Sequence, residues 1–242
     1  MEKLHEFRKK LNELIDICVQ QNDLETIKNI LKQVVKSGNI IHMFGTGHSH
    51  AITEEFFYRA GGLVCVNAML EEPLMVHGGA EISSMLERTE NYAELILRKH
   101  NPSQNDAIII FSNSGINAVP VEMAICAKKA GLCVIALTSA QANSKTPPRN
   151  SEGKHLSEVA DYVIDTHVPY GDAVIDLPGG IKTGPVSSLI NITIVHGILA
   201  QLSYELSEEG VTPPIFVSAN IPGGSEMNKI HFSNYRSRIR GL

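Results

Sequence analysis

The chain has 242 residues, 43% of them apolar and 19% charged, with a net charge of −5. That balance excludes both a disordered chain and a bilayer-spanning one, and an acidic chain with no basic stripe argues against nucleic-acid binding. Tryptophan is absent and aromatic residues make up 5%, which disfavours a stacking platform for bases.

Residues 2–20 place Leu4, Phe7, Leu11, Leu14, Ile15 and Val19 at helical spacing. Residues 23–37 repeat the pattern with Leu24, Ile27, Ile30, Leu31, Val34 and Val35, and Gly38 ends it. The charged start carries no apolar run leading to a small-residue cleavage site, so no signal peptide is expected. No apolar run approaches the roughly 20 residues of a membrane span.

The texture then changes. Residues 39–44 form a short apolar strand that enters Gly45-Thr46-Gly47-His48-Ser49, and a helix is expected over 50–60. Gly61-Gly62 breaks it, and 63–66 reads as a second strand, whereas 67–104 resists assignment. Residues 106–111 are continuously apolar, the pattern of a strand buried on both faces of a parallel sheet. They run into Ser112-Asn113-Ser114-Gly115, then into a helix over 117–130 that Gly131 stops. The next strand, 132–137, ends in Thr138-Ser139. The Ser-, Asn-, Lys- and Pro-rich stretch 140–157 reads as a mobile loop. A fifth strand is expected over 162–165 and a long apolar helix over 185–205.

Such alternation predicts an α/β fold, a doubly wound parallel sheet with helices on both faces. With no low-complexity linker, the chain reads as one domain: leading helices 1–37, core 38–205 and a C-terminal extension 206–242. Cys18, Cys65, Cys126 and Cys133 form no C-x-x-C pair and sit in apolar stretches, so buried reduced thiols and a cytoplasmic location are expected.

Two loops carry the functional signal. The glycines of 45–49 allow a tight turn and a close backbone approach, and the helix start beyond them supplies unpaired N–H groups. A dinucleotide fingerprint fails because His50 stands at the third glycine position, and no G-K-[ST] sequence makes a Walker A loop. Residues 112–115 repeat the arrangement with two hydroxyls, an amide and a glycine, and Thr138 and Ser139 follow the next strand. At the carboxyl ends of parallel strands these groups suit an anion that accepts many neutral hydrogen bonds, such as a phosphate monoester.

G-T-G-x-S, S-N-S-G and the A-L-T-S strand end resemble the SIS (sugar isomerase) domain family, over about residues 36–205. Phosphoheptose isomerase and uncharacterised single-domain bacterial proteins are the members it looks most like. The resemblance implies a flavodoxin-like three-layer sandwich, a sugar phosphate ligand, no cofactor, no membrane partner, and assembly as a homodimer or homotetramer. It places Ser49, Ser112, Asn113, Ser114 and Asn117 where the family binds phosphate and sugar hydroxyls. Gly45, Thr46, Gly47, His48, Arg59, Gly115, Thr138 and Ser139 complete the expected substrate contacts.

An aldose–ketose isomerase needs a base beside the carbonyl and a proton shuttle. Glu55 and His196 are the candidates, with Arg59 on the Glu55 face of its helix; Glu54, Glu71, Glu72 and His77 are alternatives for the base. Lys182 is a candidate phosphate contact. Phosphoheptose isomerase carries His and Glu where Glu55 and Arg59 stand, and Gln where Ser188 stands. A three-ligand zinc site is therefore not preserved, and no bound metal is expected. An isomerase is the leading reading. A phosphosugar lyase or etherase is the enzymatic alternative, and a non-catalytic phosphosugar sensor is the alternative of another class.

Overall fold

The computed structural model describes residues 1–242. The apolar runs become five parallel strands: β1 (Ile41–Gly45), β2 (Val66–Ala68), β3 (Ala107–Phe111), β4 (Cys133–Thr138) and β5 (Tyr162–Asp165). Their order is β2-β1-β3-β4-β5, so the chain reverses its direction of winding between β1 and β3. Continuous apolarity is used on both faces. In β3, Ala107, Ile109 and Phe111 join the core under the leading helices, while Ile108 and Ile110 join the opposite core.

Helices α1 (Glu2–Cys18), α2 (Asp23–Lys36) and α3 (Ser49–Glu55) precede α4 (Ala80–Leu86), α5 (Tyr92–His100), α6 (Ala118–Lys129), α7 (Ala140–Lys145) and α8 (Leu156–Val159). Then come a hairpin of β6 (Ala173–Asp176) and β7 (Lys182–Pro185), α9 (Ser187–Glu208) and α10 (Gly224–Tyr235). Helices α1, α2, α3 and α9 supply one core, and α5, α6 and α8 the other. By length and composition α9 passes the test for a membrane span, but it packs on α1, α2 and α3.

Several expectations need correction. The helix expected over 50–60 ends at Glu55, because the Phe56 and Phe57 N–H groups tighten onto Thr53 and Glu54 and Tyr58 turns to φ 46°. The second strand begins at Val66. Before it, Leu63 and Val64 bond to the C-terminal extension at Ile215 and Pro214. The stretch 140–157 contains α7, capped by the Ser139 hydroxyl accepting from the Ala142 N–H at 3.1 Å. The unassigned 67–104 holds α4, α5 and two 3-10 turns, Glu72–Leu74 and Val76–Gly78. Of the cysteines, Cys18 and Cys65 are buried but Cys126 and Cys133 only half-buried.

Lysines one turn apart on α2 ladder onto Glu205 of α9 and Glu209 just beyond its end. Lys28 and Lys32 hold Glu205, the latter at 2.7 Å, and Lys32 and Lys36 hold Glu209 at 3.1 and 2.6 Å. The bonds from Lys28 and Lys32 bring the Glu205 carboxyl down to about 2 from the usual 4.5. A depressed carboxyl stabilises the fold above its unfolded pKa, and that contribution fades as pH falls through the folded one. Unfolding titrations should therefore show stability declining between about pH 4.5 and 2. Glu205→Gln should flatten that part of the profile; an unchanged slope would remove Glu205 from the cause.

Candidate functional site

In an open parallel sheet, ligands bind outside the carboxyl ends of the strands at the switch point. Here that point lies between β1 and β3, and both glycine-and-hydroxyl loops emerge there. Gly45 is required on steric grounds: a Cβ would stand 2.7 Å from the Ser49 Cβ and 2.8 Å from its carbonyl oxygen. At Gly115 the backbone takes φ +61°, and a Cβ would meet the Thr138 hydroxyl at 2.9 Å. The second loop is thereby pressed onto the end of β4.

The half-buried Ser49 and Ser114 hydroxyls make no hydrogen bond within the protein, while the Ser112 hydroxyl accepts the Gly115 N–H at 3.2 Å. The side-chain amide oxygens of Asn113 and Asn117 are buried without a partner. They are acceptors suited to hydroxyl groups. Asn117 stands at the N-cap position of α6 but does not cap it, which leaves its amide oxygen without a partner. Thr138 and Ser139 are used differently from expectation. The Thr138 hydroxyl donates to Asn113 O at 3.3 Å and the Ser139 hydroxyl to Val168 O at 2.7 Å, so both brace the loops from inside.

Glu87, at the end of α4, bridges the two loops. Its carboxylate accepts the Thr46 hydroxyl at 3.0 Å and the Asn117 amide at 2.8 Å. Burial raises its pKa above the usual carboxylate value, against the opposing pull of Thr46, Arg88 and Arg149. Sequence reasoning missed this residue. The segment 80–91 shows no loop motif, and only the packing of α4 against the 3-10 turns brings Glu87 to Thr46 and Asn117.

Glu55 and His196 do meet: His196 Nε2 lies 3.2 Å from Glu55 Oε1, and the imidazole lies tilted at 45° against Phe56, 4.4 Å between centroids. Burial and the Arg59 guanidinium lower the His196 pKa. Arg59 also clamps the Glu55 carboxylate, and no hydrogen bond joins this cluster to either loop.

The remaining candidates scatter. Glu71 is held by Lys99 at 2.7 Å and by the Tyr92 hydroxyl at 3.4 Å. Lys182 pairs with Asp176 across the β6–β7 hairpin at 3.2 Å, and Glu72 is exposed in its 3-10 turn. Glu54 and His77 line a small cavity with His48 and His50 beside the first loop. In the C-terminal extension, Arg238 bonds Asp106 and Gly38 of its own chain. No group of three or more His, Cys, Asp or Glu side chains is arranged to hold a metal ion.

A 2-1-3-4-5 parallel sheet with two hydroxyl-rich loops at its switch point defines a flavodoxin-like, three-layer ligand-binding domain. The SIS domain family model matches residues 5–139, and the chain belongs to that family. A UPF0309 protein of Caldanaerobacter subterraneus is 42% identical over 231 residues, covering 93% of this chain and 94% of that one. Among solved structures, phosphoheptose isomerase from Neisseria gonorrhoeae superposes with a TM-score of 0.58 at 14% identity, over 84% of this chain and 98% of that one. An Escherichia coli protein solved with a sugar phosphate gives 0.52 at 18% identity, over 86% and 90%.

Proposed function

We propose that the protein binds a sugar phosphate at the β1–β3 switch point and isomerises it by proton transfer through Glu87. The observation that carries this reading is the bridge from Glu87 to Thr46 and Asn117, which sets one carboxylate between the two loops. The phosphate takes the Ser49 and Ser114 hydroxyls, which make no hydrogen bond within the protein. The Asn113 and Asn117 amide oxygens accept sugar hydroxyls.

In the reaction the carboxylate removes the proton beside the carbonyl and returns it to the neighbouring carbon. A hydroxyl proton passes between the two oxygens, so an aldose becomes a ketose with no external oxidant. Burial serves this chemistry, since a carboxyl with a raised pKa is a stronger base than one in water. The Glu55–His196 contact supports a second reading, in which those two side chains are the base and the shuttle.

Thermal shift with a panel of pentose, hexose, heptose and amino-sugar phosphates tests the binding half. Ligand at about 100 times its dissociation constant adds about 2.7 kcal/mol of stability. Ser49→Ala and Ser114→Ala should each weaken binding by about 0.5–3 kcal/mol, the range for hydrogen bonds to neutral and charged partners. A panel in which no sugar phosphate raises the midpoint would count against the whole reading.

We also propose a homo-oligomer. Less than half of the most apolar stretch of α9 is buried within one chain, and its outer side exposes Leu189 and Tyr204. Light scattering at micromolar concentration should give at least twice the 26.4 kDa of one chain. A mass equal to one chain would sink this proposal.

A further inference from the structure

The turn that leaves α4 is docked on the start of α6. The Glu87 carbonyl accepts the Val119 N–H at 3.1 Å, and the Glu87 carboxylate accepts the Asn117 amide at 2.8 Å. Further along the turn, Glu90 accepts the Ser151 N–H at 2.9 Å and the Ser151 hydroxyl at 2.8 Å. Glu122 of α6 accepts the Asn91 N–H on both carboxylate oxygens, at 3.0 and 2.8 Å. Between these anchors the Glu90 and Glu122 carboxyl groups are hydrogen-bonded to each other.

Ionised carboxylates only accept, so that bond exists only while one of the two carries a proton. No cation takes the proton's part, because neither glutamate pairs with a lysine, arginine or histidine. Arg88 on the same turn and Arg149 beside Asn117 act on Glu87 instead. Glu94 of α5 is taken by Arg98 at 2.6 Å, and further along α6 Lys129 acts on Cys126. Glu152 and Lys154, next to Ser151 in the chain, are exposed. Burial first, and then Glu90, push the Glu122 carboxyl up to about 7.

We propose that Glu90 and Glu122 form a proton-dependent latch that holds Glu87 in place between the two loops. With the proton shared, the turn is closed on α6, and Glu87 stands between Thr46 and Asn117. When the proton leaves, the bond is lost and two like charges face each other, which drives the turn off α6 and takes Glu87 with it. The closed form binds the proton more tightly, so closure is favoured below about pH 7 and lost as pH rises through it. Glu122 is a positioning residue that acts through Glu87. The consequence for turnover rests on the phosphosugar reading above; the latch itself does not.

Hydrogen exchange at Val119, whose N–H crosses the contact, tests the latch in the full chain without any substrate. After correction for the intrinsic effect of pH, protection should fall about tenfold between about pH 6 and 8, as one proton is lost near 7. Glu122→Gln mimics the protonated form: its amide oxygen accepts Asn91 and its NH2 donates to Glu90. Protection in that variant should stay flat over the same range. Glu90→Gln donates in the other direction and should behave alike. In kinetics, wild-type kcat should fall about tenfold relative to Glu122→Gln over that range, with KM little changed. Protection at Val119 that ignores pH in the wild type, or that falls equally in both glutamine variants, overturns the latch. A latch seen by exchange in a protein that turns over no sugar phosphate upholds this inference and removes the isomerase reading.

Discussion

Glu87→Gln should lower phosphosugar turnover by about 10²–10⁴, the usual contribution of a positioned acid–base group, with little change in substrate affinity. Glutamine keeps the length of the side chain and an oxygen that accepts from Thr46 or Asn117, so the crevice should hold its shape. What it loses is the ability to take a proton, and the fall should appear in kcat rather than in KM. The wild-type pH profile adds an independent check. A base works when ionised, and burial moves the Glu87 pKa above the usual 4.5. The rate should therefore climb with pH through that raised value, and the climb should vanish in the variant. Glu55→Gln is the control: its carboxylate is already clamped by Arg59 and shared with His196. If turnover collapses in Glu55→Gln and survives in Glu87→Gln, the base is Glu55.

The loops were legible because their chemistry is local. Gly45 and Gly115 stand where a Cβ would collide with neighbouring atoms, and the hydroxyls beside them follow apolar runs that form nothing but buried strands. Glu87 was not legible. Its place between the loops comes from α4 packing on the 3-10 turns, and nothing in the residues around it differs from a solvated helix end. Thr138 and Ser139 mark the reverse limit. Their position at a strand end was read correctly, but whether a hydroxyl faces the ligand or an inner carbonyl depends on the third dimension. Arg59 illustrates a milder case. Its pairing with Glu55 follows from helical spacing even though α3 stops at Glu55, because the tight turns that follow still carry the guanidinium back over the carboxylate.

Asp106→Ala should destabilise the protein by about 3–5 kcal/mol, the range for breaking a buried charge pair. The carboxylate is 1% exposed, just before β3 at the end of the sheet opposite the crevice. It accepts the Ile40 N–H at 2.9 Å, the Ser103 N–H at 2.7 Å, His42 Nε2 at 3.1 Å and Arg238 Nη2 at 2.8 Å. Burial alone would raise its pKa. The bonds from His42, Ile40 and Ser103 outweigh that and bring it below the usual carboxylate value. The His42 ring is fixed in turn, since Nδ1 accepts from the Asn67 amide at 2.8 Å and Nε2 is left to donate. Removing the carboxylate leaves the Ile40, Ser103 and His42 donors without their acceptor and frees Arg238, which together with buried Ile239 pins the C-terminal segment. Arg238→Ala should be milder, because the guanidinium is 32% exposed and water replaces part of what it loses. Urea denaturation distinguishes the cases. At about 2–4 °C per kcal/mol for a chain of this size, Asp106→Ala should also lower the melting temperature by roughly 6–20 °C. Limited proteolysis should then cut first within residues 236–242. A loss below about 1 kcal/mol would mean that water or rearranged partners satisfy the donors, and that the network contributes register rather than stability.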